Sequence, residues 1–371
     1  MANILDIIPY KILPAHMGGQ KHIALFCKYL GRHNTVTGVS VKDNEISEAE
    51  NFKLIRLFSN SRSRYVNPFY VKKIRKIIRT ANIDSIITEQ PYMAWIAWVL
   101  KKREGIKWFV HSHNIEYQRF KTLGKWWSPL MKLYEKWAYS SADAVFFITP
   151  EDLHFAIEHS MVKSDNAILA PYGVEQEKMP NDSLESREII FRRHNIPSGC
   201  TLILFNGALS YKPNADALRF ILDEINPILL QNKSFEYRIL ISGKDLPDSF
   251  AHLKNYADKN VIYAGFVDDV VPYFKAGDIF LNPITRGGGI KTKVVEAIGY
   301  GATTISCKTG AAGINLAVCG EKIHVVPDND ANAFVKTILG ICGAITTTPE
   351  TYYAYYYWGN IIKRLQGVFD R

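Results

Sequence analysis

Cysteine is scarce in this chain: five occur among 371 residues, at positions 27, 200, 307, 319 and 342, with no Cys-x-x-Cys pair. That excludes a disulfide framework and a cysteine zinc site as organising principles, and reduced thiols in a cytoplasmic protein are expected. Long apolar runs are also missing. No stretch reaches the roughly 18 uninterrupted apolar residues of a membrane span, and the N-terminus has no basic region leading into an apolar run, so a membrane is expected to be touched only from outside. There is no internal repeat of solenoid length and no low-complexity segment. A Gly-x-Gly-x-x-Gly fingerprint is absent from the first strand-to-helix loop, which removes the main support for a nicotinamide or flavin site. Helix-turn-helix, RNA-recognition and zinc-finger patterns are absent too, so no nucleic-acid partner is expected.

What remains is a soluble, enzyme-like composition, 47% hydrophobic and 22% charged, with a net charge of +9 that calls for an anionic partner. The length is too great for one compact core and fits two domains. Short apolar strands alternate with amphipathic helices from the N-terminus to about residue 175, with Ser128 expected to cap the helix from Pro129 and Thr149 the next one. The pattern lapses between 176 and 200 and then resumes. The expected fold class is therefore α/β, with two doubly wound, Rossmann-like parallel sheets whose ligands sit at the carboxyl ends of the strands, in a cleft between domains. Residues 1–176 form the first domain and 177–349 the second, and an aromatic-rich closing helix covers 350–371.

The strongest chemical signal is the stretch from Asn282 to Gly301. Gly287, Gly288 and Gly289 allow backbone amides to turn toward a bound group, and the following helix begins with its positive end there. Arg286, Lys291 and Lys293 add fixed cations that suit a diphosphate better than one carboxylate. Glu296 shares a helix face with Lys293 by its three-residue spacing, and an ordinary helix ion pair is the plain alternative. Three further stretches carry weaker signals. Gly18 and Gly19 follow the first strand and serve either as a phosphate seat or as a tight turn. His111 and His113 close a buried strand as a polar cluster, with His113 the better functional candidate. Asp328 and Asp330 resemble a metal-binding pair, but helix capping explains them without a metal. Finally, residues 70–79 form a basic amphipathic helix and 121–137 set lysines beside tryptophans, which suits either a solvated rim or an anionic membrane surface.

Taken together, these residues resemble the retaining glycosyltransferase family 4, which has the two-domain GT-B fold. The resemblance rests on Gly18-Gly19, the His113-Asn-Ile-Glu turn, Pro171-Tyr-Gly-Val-Glu175, the run from Asn206 and Gly207 to Asp216, and the loop ending Lys293-Val-Val-Glu-Ala297. It implies an acceptor-binding N-terminal domain, a nucleotide-sugar-binding C-terminal domain, and a last helix that crosses back onto the first. By position, Glu296 grips the ribose hydroxyls, His113 faces the transferred sugar, and the Gly19 backbone lies near the diphosphate, with Gly18, Gly207, Gly288, Gly289 and Ile290 lining the donor. Two positions depart from the pattern. Gly288 stands where a second glutamate usually holds sugar hydroxyls, and Ala208 where an arginine is common. Lys291 and Lys293, as in a subgroup with a basic loop, and more distantly Lys212, take over the diphosphate charge. The implied reaction moves a hexose from a nucleoside diphosphate sugar to a glycan or lipid-linked acceptor without a metal or other cofactor. A sugar-nucleotide epimerase or hydrolase, and a non-catalytic basic binding protein, are the competing readings.

Overall fold

The computed structural model describes residues 1–344 and 346–369, and the side chains of residues 48, 252, 254 and 255 lie outside that description. The chain divides into two compact units, Met1–Gly173 with Trp358–Arg371, and Val174–Tyr357.

The first unit is built on seven strands, β1 (Asn3–Ile7), β2 (Thr35–Val41), β3 (Lys53–Phe58), β4 (Ser85–Glu89), β5 (Lys107–Ser112), β6 (Ala144–Phe147) and β7 (Ala167–Leu169). All pair in parallel, in the order β3-β2-β1-β4-β5-β6-β7. The strands are near-continuous apolar runs because both faces of the sheet are covered. The covering helices are α1 (Gly18–Leu30), α2 (Phe69–Thr80), α3 (Ala94–Glu104), α4 (Glu116–Thr122), α5 (Ser128–Ser141) and α6 (Pro150–Glu158). Thr149 caps α6 by accepting from the Asp152 amide at 3.1 Å. Ser128 does not cap α5: it is the first helical residue, and Trp127 takes the cap position without a side-chain bond.

The second unit repeats the plan with six strands, β8 (Thr201–Asn206), β9 (Tyr237–Ser242), β10 (Val261–Gly265), β11 (Ile279–Asn282), β12 (Thr303–Cys307) and β13 (Ile323–Val326). Their order is β10-β9-β8-β11-β12-β13, again parallel. Its helices are α7 (Ser183–Arg193), α8 (Lys212–Phe220), α9 (Asn226–Gln231), α10 (Val271–Ala276), α11 (Thr292–Gly299), α12 (Ala331–Ile341) and α13 (Glu350–Tyr356). In both sheets the winding starts at an inner strand, proceeds to one edge, and then restarts on the other side. The reversal lies between β1 and β4 in one sheet and between β8 and β11 in the other, the place where doubly wound folds bind ligands.

The closing segment differs from the single helix expected over 350–371. It is α13 followed by α14 (Trp358–Phe369), broken at Tyr357, whose backbone is extended and bridges Val174; residues 370 and 371 lie outside the described residues. The break has a packing cause. The tyrosines of α13 serve the second unit, where the Tyr352 and Tyr353 hydroxyls donate to backbone carbonyls of α11. By contrast Trp358, Ile361, Ile362 and Leu365 of α14 are wholly buried in the first unit.

Candidate active site

The carboxyl ends of β1, β4 and β5 hold a buried polar network. Glu89 ends β4 directly beside His111 of β5, and both side chains have no solvent exposure. Glu89 Oε1 pairs with His111 Nδ1 at 2.9 Å, and Oε2 pairs with His113 Nε2 at 2.5 Å. On its other side His111 Nε2 meets His22 Nε2, from α1, at 3.0 Å. Burial alone would raise the Glu89 carboxyl, but the charges and hydrogen bonds of His111 and His113 hold it well below the ordinary carboxylate range. Asp6 on β1 moves the other way: burial, and then the charge of Glu89, push its carboxyl well up. Burial holds both His22 and His111 below the usual imidazole value, with repulsion from neighbouring rings adding to it. The surroundings thus favour the charge on Glu89 and disfavour it on Asp6.

Gly18 and Gly19 open α1 one turn before His22, so the amide end of that helix and His113 belong to the same end of the first sheet. The turn ahead of them is closed by Gln20, whose Oε1 accepts from the His16 and Met17 amides. His22, His111 and His113 form the one group of potential metal ligands found among the described residues, their nitrogens within 4.8 Å of one another. His111 uses both ring nitrogens, Nδ1 on Glu89 and Nε2 on His22, so an ion held by all three histidines would have to displace one of those bonds. Asp330 caps α12 by accepting from the Ala333 amide, and Asp328 accepts from the Thr309 amide and hydroxyl, which accounts for that acidic pair as local structure.

In the second unit the loop between β11 and α11 lies at the reversal of the sheet. Gly287 and Gly289 have φ of 91° and 72°, left-handed values that favour glycine, whereas Gly288 has no such φ and open space around it. Lys291 folds back into this loop, its Nζ donating to Gly287 O at 2.9 Å and Gly289 O at 3.1 Å, and burial lowers its ammonium. It therefore braces the loop. Lys293, one turn before Glu296 on α11, donates to Glu296 Oε2 at 2.8 Å. The carboxylate is nearly buried, and the lysine also lies 5.7 Å from the Phe274 ring centre. Arg286 and Lys212 are exposed and share Asp216, at 3.9 and 3.4 Å. Gly207 directly follows β8 and lies against Asn214 of α8, so close that a Cβ would lie 2.6 Å from its side-chain nitrogen. Ile290 is half-buried between the loop and α11.

The structure thus sets Gly18, Gly19 and His113 at one end of the first sheet, and in the second unit it pairs Lys293 with Glu296, Lys291 with its own loop, and Arg286 and Lys212 each with Asp216. Inspection of the sequence overlooked Glu89, His22 and Asp6. The signal present was a carboxylate closing the apolar run Ser85-Ile-Ile-Thr-Glu89. Also overlooked were the donors that close the far end of α11: the Tyr352 and Tyr353 hydroxyls on Val295 O and Gly299 O, Thr348 on Ile298 O, and Lys322 Nζ on Gly301 O just beyond it. Gly299 O is a last-turn carbonyl of the kind a helix leaves without an intrahelical donor, whereas Ile298 O also accepts from the Gly301 amide at 3.0 Å.

Comparison with protein-family models matches residues 17–178 to Glycosyltransferase Family 4 and residues 200–343 to Glycosyl transferases group 1. With two Rossmann-like domains behind these matches, the chain is a glycosyltransferase of the GT-B type. Among solved structures it is similar to a glycosyltransferase from Rickettsia africae, at 17% identity and TM-score 0.73, over 100% of this chain and 98% of that one. It is similar to HepE of Anabaena in complex with UDP and glucose, at 11% identity and TM-score 0.71, over all of both chains. Sucrose-phosphate synthase from Thermosynechococcus elongatus aligns at 16% identity and TM-score 0.68, over 99% of this chain and 95% of that one. A search of curated proteins finds no match.

Proposed function

We propose that the protein moves a hexose from a nucleoside diphosphate sugar to a hydroxyl of a glycan or lipid-linked acceptor, with retention at the anomeric carbon, in the synthesis of a surface polysaccharide. The observation that carries this reading is the buried Glu296 carboxylate held by Lys293 directly behind a loop with two left-handed glycines, at the reversal of the second sheet. A carboxylate accepts from both ribose hydroxyls, while helix amides and lysines suit the diphosphate that follows. The glycosidic bond to the diphosphate breaks as the acceptor oxygen bonds to the same face of the sugar, and the acceptor proton passes to a phosphate oxygen. Cations and amides already in place stabilise the departing charge, each contributing on the order of 3 kcal/mol. His113 faces the sugar. Glu89 is no nucleophile in this scheme, because it is fully buried and both its oxygens are taken by imidazoles.

HepE has been captured with UDP, with UDP-glucose, and with UDP and glucose, so UDP-hexoses lead the list of donors to test. Thermal stabilisation by one member of a panel of UDP- and GDP-sugars identifies the donor, since a ligand of the folded state raises its melting temperature. Glu296→Ala should abolish that shift, and unchanged affinity for every nucleotide would sink the ribose assignment. Lys291, Lys293 and the helix end make a divalent metal unnecessary, so turnover should survive EDTA; activity lost to EDTA and restored by manganese overturns this. The acceptor side points to an anionic membrane surface. Leu123, Trp126, Leu130 and Leu133 are exposed among Lys121, Lys125, Lys132 and Lys136, whereas the apolar stripe of α2, Tyr70, Ile74 and Ile78, is buried in the core. No helix among the described residues is long and apolar enough to cross a membrane.

A further inference from the structure

A glutamate with no solvent exposure, bonded to two imidazoles and linked through one of them to a third, calls for a reason beyond packing, because burying a charge costs several kcal/mol unless its bonds are used. Glu89 uses both oxygens. Each faces a ring nitrogen, His111 Nδ1 on one side and His113 Nε2 on the other. With Glu89 ionised, both imidazoles must donate to it. The rest of the chain of protons then follows. His111 keeps a lone pair on Nε2, His22 donates to it from Nε2 at 3.0 Å, and His22 Nδ1 ends the chain as a buried acceptor without a partner among the described residues. His113 is the outermost member, with a side chain 16% exposed and no hydrogen-bond partner other than Glu89 among the described residues.

We propose that Glu89 is a positioning residue: by accepting from Nε2 it holds His113 in one tautomer and leaves Nδ1 as the acceptor that His113 presents to a hydroxyl of the bound sugar. This use of Nδ1 rests on the glycosyl-transfer reading, whereas the tautomer does not depend on it. The choice of glutamate at position 89 is chemically specific. A carboxylate offers two acceptors to two N–H groups, whereas a glutamine of the same shape offers one acceptor and one donor. In a Glu89→Gln variant one of the two rings meets a donor where it had an acceptor, and it must change tautomer or turn away.

The test is made on the full chain labelled with 15N-histidine, with His113 assigned by its loss in His113→Gln. Long-range proton–nitrogen correlations should show neutral His113 protonated on Nε2 in the wild type. Glu89→Gln should convert His113 or His111 to the other form. In the same variant kcat should fall about tenfold or more, as when the partner that orients a functional histidine is removed, with donor KM changing less than about threefold. Glu89→Asp, which keeps two acceptors on a shorter arm, should recover part of the rate. Neutral His113 protonated on Nδ1 in the wild type overturns the proposal, as does a Glu89→Gln variant with unchanged tautomers. Should no donor give turnover, the glycosyl-transfer reading fails while the tautomer measurement still decides whether Glu89 sets His113.

Discussion

Lys322 shows how far a single buried group can govern behaviour away from the site. Its Nζ ends on two neutral acceptors, Gly301 O and Thr303 Oγ1, and burial pushes its ammonium down to about 8. An unfolded lysine titrates near about 10.4. Between those values the unfolded chain holds the extra proton, so stability rises with pH across that window and is flat below it. Wild type should therefore gain stability relative to Lys322→Met between about pH 8 and pH 10, measured by urea unfolding of both; a constant difference rejects the assignment. At this scale the site was partly legible. Glycines, lysines and Glu296 sit close in sequence, so their spacing revealed them. Glu89, His22 and Asp6 come from three separate elements and meet only through the strand order β1-β4-β5, which spacing does not reveal. The role expected of Lys291 shows the opposite limit. Its charge was evident from the sequence, but its bonds to Gly287 O and Gly289 O depend on a loop path set by two left-handed glycines.

Among the elements, α11 is the one on which the second unit converges. Its first turn follows the glycine loop, and its later carbonyls accept from Thr348, just before α13, and from Tyr352 and Tyr353 of α13. Removing either tyrosine hydroxyl deletes one buried hydrogen bond, at about 0.5–1.5 kcal/mol each. Tyr352→Phe and Tyr353→Phe should each lower the melting temperature, and the double variant should also weaken donor binding, because Glu296 rides on the loosened helix. A double variant that melts earlier yet binds donor as tightly would separate the cap from the site. Strands are legible as apolar runs in the sequence, as at Thr35–Val41, Tyr237–Ser242 and Val261–Gly265. Parallel strands buried on both faces leave few alternative readings. The closing segment was not, since the aromatic run Tyr355-Tyr-Tyr-Trp358 carries no Gly or Pro at Tyr357 itself, where tertiary packing ends α13.

For the molecule as a whole, the chain leaves its first unit at Gly173 and returns to it at Trp358. Trp358, Ile361, Ile362 and Leu365 have no exposure. At about 1.5–3 kcal/mol apiece for a buried large apolar side chain, their loss would remove an amount comparable to the roughly 5–15 kcal/mol that stabilises an ordinary domain. Truncation after Tyr357 should therefore abolish the cooperative melting of the first unit while the second still melts, as followed by calorimetry; two unchanged transitions would show that α14 is dispensable. The indole of Trp358 covers Gly173 so closely that a Cβ there would lie 2.7 Å from the ring, and it lies 5.3 Å from the ring centre of His22. Its Nε1 has no hydrogen-bond partner among the described residues. An indole in so dry a setting emits at short wavelength, and a neighbouring imidazole quenches that emission once it takes up a proton. The fluorescence difference between wild type and Trp358→Phe is therefore an optical record of the charge on His22, readable without any substrate.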